Sequence, residues 1–146
     1  MMRTLTLNMS AVPKARHRTA ITRAGTMRTY PDPKTATFEE TVGWTWREKY
    51  GPLRADTWPE HAGLYLALCF WLARPPSAPR SRLMPSVKPD LDNLVKSILD
   101  GLQGVAYVDD SRITRLAVVK RYTRATPAIE ITLLEDEPDE RGELLP

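Results

Sequence analysis

Apolar and polar positions recur along this chain with two periods, and these periods predict its secondary structure. Polar and apolar residues alternate over residues 3–9, which predicts a first strand. Apolar side chains at helical spacing predict one helix over residues 35–50 and a second helix directly behind Asp92. The apolar run over residues 64–73 predicts a central strand with both faces covered.

Two more strands are predicted near the C-terminus, over residues 113–124 and residues 128–134. The link between them is short, so we expect them to form a hairpin. The order strand, helix, strand, helix, strand, strand predicts an α/β (α+β) fold. It consists of a small mixed sheet of about four strands packed with two main helices in a single domain.

The segments between these elements contain proline, glycine and basic residues. Residues 12–33 follow neither period, and their prolines and glycine predict a loop. Residues 53–61 are irregular as well. Residues 74–82 hold three prolines and three arginines, which predicts an extended, exposed loop just ahead of the second helix.

The net charge of +3 conceals an uneven distribution. Residues 135–146 carry six acids and one arginine, whereas the other 134 residues carry 20 basic and 12 acidic side chains. A basic body suits a polyanion such as nucleic acid, although many basic surfaces are only solvated. We therefore expect a folded domain over residues 1–134 and an acidic, disordered tail over residues 135–146.

Length and composition exclude several classes of protein. The chain has 146 residues, which suits one domain, and its longest apolar run is too short for the roughly 20 residues that span a bilayer. No signal peptide is apparent at the N-terminus. Cys69 is the only cysteine, so an intrachain disulfide is excluded, and we expect a buried, inert thiol. These features favour a cytoplasmic protein without a membrane partner.

Four acids flank the second helix and suggest chemistry. Asp90 and Asp92 stand at its start, and Asp109 and Asp110 follow at the next turn. Carboxylates that hold Mg²⁺ can activate water and neutralise charge on a phosphate, as phosphodiester hydrolysis requires. Structural roles compete with this interpretation, because Asp92 fits an N-cap and the second pair fits a turn.

Lys96 lies one helical turn after Asp92. It is expected either to pair with that acid or to stabilise charge on a scissile phosphate. Other metal sites are disfavoured, because two histidines and one cysteine make a zinc site unlikely, and the stretch after Asp90 lacks the glycine and third acid of a calcium-binding loop. The sequence also lacks a glycine-rich phosphate loop.

The central motif resembles the signature of the RusA family of Holliday junction resolvases. It reads Lys-Pro-Asp-Leu-Asp-Asn-Leu-Val-Lys over residues 88–96, then Asp-Gly-Leu from Asp100 and Val-Asp-Asp-Ser-Arg-Ile from Val108. The opening region, with Pro-Lys-Ala-Arg-His-Arg over residues 13–18 and Tyr-Pro-Asp-Pro over residues 30–33, is similar too. The likeness extends over about residues 3–134 and leaves out the acidic tail.

The resemblance implies a homodimeric endonuclease, often encoded by a phage or prophage, that cuts two opposed strands of a four-way DNA junction with Mg²⁺ or Mn²⁺. Asp90 and Asp92 match two essential carboxylates of the family, and Lys96 matches its functional lysine. The third carboxylate falls in the pair after the helix; we favour Asp110 and keep Asp109 as the alternative.

Basic residues on both sequence approaches to this helix are candidates for DNA contact. Two other functions stay open: a non-catalytic protein that binds branched DNA, and a nuclease that acts on flaps or replication forks. The candidate DNA contacts are Lys14, Arg16, Arg18, Arg80, Arg82 and Lys88.

Overall fold

Within the described residues, six strands and two helices form a four-stranded sheet, a helical layer and a separate hairpin. The computed structural model describes residues 1–139, apart from the side chain of Arg18. The predicted α+β fold, with a mixed sheet of four strands and two helices, is confirmed. In chain order the elements are β1 (Met2–Leu7), β2 (Arg18–Ile21), β3 (Met27–Tyr30), α1 (Pro33–Tyr50), β4 (Gly63–Ala73), α2 (Leu91–Leu102), a 3-10 turn (Asp110–Arg112), β5 (Ile113–Thr123) and β6 (Ala128–Asp136).

The main sheet has the strand order β1-β6-β4-β5. β4 lies between the last two strands, parallel to β5 and antiparallel to β6, so the expected β5–β6 hairpin is wrong. β4 is the most apolar strand, and pairing along both of its edges satisfies its backbone groups while its side chains enter the core. The short link after β5 therefore crosses the end of β4 instead of closing a hairpin.

Only one face of β4 is covered by the helices. Leu66, Leu68 and Phe70 are buried on that face, whereas Tyr65 and Cys69 on the opposite face are only half-buried. The expectation that both faces are covered is therefore wrong, because both helices pack on the same side of the sheet. The Cys69 thiol is partly exposed, and burial together with the charge of a nearby glutamate still raises its pKa.

Two glycines bring α1 and α2 into close contact. A Cβ atom on Gly43 would lie 2.8 Å from the carbonyl oxygen of Gly101, and a Cβ on Gly101 would lie 3.0 Å from the Cβ of Val42. Larger residues would push the helices apart, so this crossing fixes α2 relative to α1. Both helices then bury apolar side chains against the sheet: Phe38, Val42 and Trp46 from α1, and Leu94, Ile98 and Leu102 from α2.

The segment predicted as a loop over residues 12–33 contains the β2–β3 hairpin, which is a correction to the sequence prediction. Arg18 pairs with Tyr30 at its base, and Ile21 pairs with Met27 next to its turn. The turn contains Gly25 with a φ of 77°, a conformation that favours glycine. The strands bury no apolar face, so they lack the alternation that reveals a strand in a sequence.

The last strand extends past the predicted domain boundary. β6 ends at Asp136, so the first two residues of the predicted tail pair with β4. The Asp136 carboxylate accepts a hydrogen bond from Thr114 Oγ1 at 2.8 Å and lies 3.1 Å from the guanidinium of Arg115. Residues 140–146 of the predicted tail lie outside the described residues. No helix within residues 1–139 combines the length and the apolar character needed to cross a membrane.

Candidate active site

The first turn of α2 presents two acids to solvent. Asp90 occupies the N-cap position, but its side chain makes no capping hydrogen bond. Asp92 is exposed in the first turn and has no hydrogen bond or ion pair to any residue that the structure describes. The interpretation of Asp92 as an N-cap is therefore wrong, and neither carboxylate is occupied by the helix end.

Lys120 of strand β5 binds the segment that leads to Asp90 and so fixes it to the sheet. Lys120 Nζ donates hydrogen bonds of 2.8 Å to the carbonyl oxygens of Val87 and Pro89. Lys88 Nζ donates to Asp90 Oδ2 at 2.8 Å, and this bond raises the pKa of the exposed Lys88 ammonium. Sequence reasoning missed Lys120, although a lysine on the inward face of β5 breaks the apolar alternation there.

Lys96 pairs with Asp100 and not with Asp92. Its Nζ lies 2.9 Å from Asp100 Oδ1 and 3.7 Å from Asp110 Oδ2. The expected pairing with Asp92 is therefore absent from the described contacts, because the ammonium turns toward the C-terminal end of the helix. This orientation places Lys96 between an acid of α2 and an acid of the following 3-10 turn.

A second lysine joins the cluster from the N-terminal segment. Lys14 Nζ lies 2.6 Å from Glu39 Oε1 and 3.0 Å from Asp100 Oδ2. Lys14, Glu39, Asp100 and Lys96 thus form one chain of charges, which we call the Asp100 cluster. It joins the N-terminal segment, α1 and α2, and neither Glu39 nor this use of Lys14 was foreseen from the sequence.

The pKa values of Asp100, Lys14 and Lys96 move in the directions expected of ion pairs. Burial alone would raise the pKa of Asp100, but hydrogen bonds from Lys96 and Lys14 outweigh it and hold the pKa below its usual range. Burial would lower the pKa of Lys14, yet bonds to Glu39 and Asp100 raise it. The hydrogen bond to Asp100 likewise raises the pKa of Lys96. All these groups therefore keep their charges at neutral pH.

The two acids after α2 have different surroundings. The Asp109 side chain accepts a hydrogen bond from the Ser111 backbone N–H at 3.2 Å, which caps the 3-10 turn. Hydrogen bonds from the Ser111 side chain and then from its backbone lower the pKa of the exposed Asp109 carboxyl. Asp110 is only partly exposed and faces Lys96. Asp109 therefore has a structural role in the turn, whereas the Asp110 side chain has no such role.

The chemistry of these acids suits a hard cation. Mg²⁺ prefers oxygen ligands and is usually held by one or two carboxylates together with waters and substrate phosphates. Within residues 1–139, however, no group of three His, Cys, Asp or Glu side chains is close enough to hold a metal ion. The donor type therefore fits magnesium, while Asp90, Asp92 and Asp110 do not form a ready-made three-carboxylate cage.

The predicted DNA contacts divide into two groups. Lys14 is engaged in the Asp100 cluster, whereas Arg16, Arg80 and Arg82 make no ion pair with any residue in the described part of the chain. The Arg18 side chain lies outside the described residues. Arg74, the third arginine of the predicted loop, has a guanidinium that donates to the Pro79 carbonyl at 2.6 Å and so folds the proline-rich loop. The same loop and the Lys88 segment line one groove, which brings Pro75 close to Lys88 and Pro89.

Comparison with known proteins shows the family of this chain. Residues 10–134 match the profile of the family described as Endodeoxyribonuclease RusA. The chain belongs to the RusA family. The match includes both helices, the hairpin, the flanking acids and every candidate DNA contact, so the candidate site lies wholly within the RusA region.

A curated relative is also similar to part of the chain. It is the "Uncharacterized protein YqaN" of Bacillus subtilis strain 168, which is 40% identical over 58 residues. The chain spans two-fifths, 40%, of the length of that relative, and the aligned part is also 40% of this chain. The name of that relative assigns it no activity, and the family of this chain rests on the RusA profile.

Proposed function

We propose that this protein is a metal-dependent endodeoxyribonuclease that resolves four-way DNA junctions by symmetric cleavage in recombination and repair. Membership of the RusA family supports a nuclease acting on branched DNA. The observation that carries the proposal is the pair of acids at the start of α2, Asp90 and Asp92, neither of which uses its side chain to cap the helix. A helix N-terminus also favours a bound anion such as a phosphate, so acids and phosphate can meet there through a cation.

Each residue has a separate role in this proposal. Asp90, Asp92 and Asp110 would hold Mg²⁺ or, in its place, Mn²⁺, and the bound ion would supply an activated water and neutralise phosphate charge. Lys96 would stabilise the charge that develops on the phosphate. Asp100 keeps the Lys96 ammonium charged and on the side of Asp110. Asp109 remains the alternative third ligand, but its bond to Ser111 favours Asp110.

Symmetric cleavage requires two sites on one junction. A homodimer with two-fold symmetry would supply them, since each protomer would face one of two opposed strands. Arg16, Arg18, Arg80, Arg82 and Lys88 would contact the phosphate backbone. A cytoplasmic location and a phage or prophage origin are the remaining parts of this proposal.

One assay tests the catalytic role. A labelled four-way junction is incubated with Mg²⁺ and either the wild-type protein, Asp92→Asn, or Asp56→Asn, which changes an exposed acid of the irregular segment before β4. We expect paired symmetric nicks from the wild type and Asp56→Asn, and binding without nicks from Asp92→Asn. Equal cleavage by all three proteins would contradict the assignment.

The lack of a ready-made three-carboxylate group within residues 1–139 favours the second candidate, a non-catalytic protein that binds branched DNA. Junction binding without nicks in Mg²⁺ or Mn²⁺ would support that candidate. Nicks on flap or fork substrates, with four-way junctions left intact, would instead support a RusA-fold nuclease with another substrate.

A further inference from the structure

The β2–β3 hairpin and the residues that lead into it, residues 16–30, form an arm whose base is fixed beside the candidate site. The Lys14 backbone N–H donates to the Asn93 carbonyl at 2.9 Å, one residue after Asp92. The Ala15 N–H then contacts Thr35 Oγ1 of α1 at 3.3 Å. The arm therefore leaves the body of the protein at the first turn of α2.

The arm exposes apolar side chains near its tip. β2 and β3 pair with each other and belong to neither edge of the main sheet. Ile21 and Met27 are 76% and 71% exposed and stand opposite each other in the last pair before the turn. Neither side chain belongs to the apolar core of the described residues, and as cross-strand partners the two form one exposed apolar patch.

The charges of the arm identify the class of occupant. Residues 16–30 contain four arginines and no acid. Arg23 lies within the turn and Arg28 in β3, so cations surround the apolar pair, and both side chains are exposed. A basic arm with an apolar tip is complementary to a nucleic acid, in which phosphates surround apolar base stacks.

We propose that the arm inserts Ile21 and Met27 between bases at the branch point of a DNA junction. Apolar side chains are known to wedge between base steps, at a cost in stacking energy. That cost is smallest where pairing and stacking are already interrupted, as at a branch. The arm therefore discriminates branched DNA from duplex, whereas the acids of α2 act on the phosphodiester. The inference rests on the proposed function for its substrate class.

The arm is long enough for its tip to reach the branch point while the acids of α2 face a phosphodiester. Arg23 lies eight positions after Ala15, and an extended chain advances about 3.3 Å per residue. The tip thus reaches up to about 25 Å from its anchor, or about seven nucleotides along one strand. The wedge and the scissile phosphate can therefore lie on the same junction arm.

The test compares binding with cleavage disabled by EDTA. Wild type and the double variant Ile21→Ser/Met27→Ser are titrated against a four-way junction and a duplex of the same composition. A 2-aminopurine base at the branch reports unstacking. We expect the variant to lose about tenfold in preference for the junction and to lose the 2-aminopurine response, while duplex affinity stays within about twofold.

Two controls separate the wedge from other effects. Met2→Ser changes an equally exposed methionine on β1, 65% exposed, and should leave the preference intact. Arg23→Gln/Arg28→Gln should weaken junction and duplex binding alike and reduce the salt dependence. An unchanged preference in the Ile21/Met27 double variant overturns the proposal. So does loss of a dimer in sedimentation, because the tip would then contact a second copy.

The same set distinguishes this inference from the nuclease function. If Mg²⁺ is restored and the wild type does not cut but still gives the 2-aminopurine response, the nuclease function fails and the wedge stands. If the wild type cuts the junction and the double variant binds and cuts it equally well, the wedge fails and the nuclease function stands.

Discussion

The two ends of α2 carry similar residues in contrasting surroundings. At the N-terminal end, Asp92 has no described partner and Asp90 pairs only with an exposed lysine. At the C-terminal end, Asp100 is mostly buried between two lysines, with 22% of its side chain exposed. A carboxylate without a strong partner keeps its oxygens available to a cation, whereas a carboxylate between two lysines has its oxygens occupied by the fold; the proposed function therefore uses the first kind.

The contrast also separates activity from stability. An ion pair at an exposed position contributes little to folding, because solvent screens it. A partly buried charge with several charged hydrogen bonds contributes more, and removing it leaves its partners unsatisfied. Substitutions at the two ends of α2 should therefore affect different measurements.

The largest effect is expected at the N-terminal end. Asp90→Asn and Asp92→Asn should each lower junction cleavage by about 10³-fold or more, because a cation ligand is lost. The free energy of unfolding should stay within about 0.5 kcal/mol of the wild-type value, since neither side chain caps the helix. Parallel cleavage rates and melting curves measure this. Loss of stability that matches the loss of cleavage would break the contrast.

The two acids after α2, Asp109 and Asp110, extend the comparison between acids with and without a structural role. Asp110→Asn should lower cleavage by about 10²- to 10³-fold with little change in stability, because Asp110 faces Lys96 without capping the turn. Asp109→Asn should retain most cleavage and also most of the stability, because an asparagine side chain can still accept the capping hydrogen bond from Ser111 N–H. The ratio of the two cleavage rates is the measurement. The opposite ratio would assign the third carboxylate to Asp109.

At the C-terminal end, Asp100→Asn should act mainly on stability. Loss of charged hydrogen bonds to Lys14 and Lys96 should cost about 2 kcal/mol, or about 6 °C in the melting temperature. Cleavage should fall by only about tenfold, because Lys96 stays near Asp110 but is less well positioned. Glu40→Gln, on an exposed position of α1, serves as the control. A stable Asp100→Asn protein that has lost all cleavage would place Asp100 with the catalytic acids.

The sequence predicts the position of α2 and of the acids at its start, but it does not predict the contacts at the C-terminal end of the helix. The amphipathic stripe and the acids that flank it are local patterns, so helix and acids were found together. The Asp100 cluster joins residues that are far apart in the chain, since Lys14 and Glu39 are 25 residues apart and Asp100 lies on another helix. No local period records such a contact.

The same limit explains the errors in the fold. A hairpin rule uses only the length of the link, whereas the position of β4 between β5 and β6 depends on which strand is the most apolar. β2 and β3 were missed because they bury no apolar face, which is also the property that makes their tip available to a partner. An element that buries one face has a periodic pattern of apolar residues, whereas a fully exposed element has no such pattern.

The pH dependence of the Asp100 cluster is a smaller effect. The pKa of Asp100 is lowered on folding, so its contribution is present above the unfolded value of about 3.9 and is lost as pH falls through the folded pKa. The pKa values of Lys14 and Lys96 are raised, so their contribution is complete below about 10.4 and is lost as pH rises through the folded pKa values.

The stability difference between wild type and Asp100→Asn should therefore be constant from about pH 5 to pH 9 and shrink outside that range. Denaturant unfolding of both proteins across this range measures it. A difference that changes steadily through neutral pH would mean that another titrating group governs the cluster.

The smallest effect is expected for Lys88, the partner of Asp90. Its side chain is 84% exposed, so Lys88→Gln should leave the melting temperature unchanged. If the ammonium contacts a phosphate, the slope of log affinity against log salt concentration should fall by about 1. Arg54→Gln, at an exposed position far along the chain from the acids, is the matched control and should leave the slope unchanged. If Lys88→Gln and Arg54→Gln have equal slopes, Lys88 does not contact a phosphate and acts only through its pair with Asp90. A raised cleavage rate in Lys88→Gln would show that this pair competes with the cation for the Asp90 carboxylate.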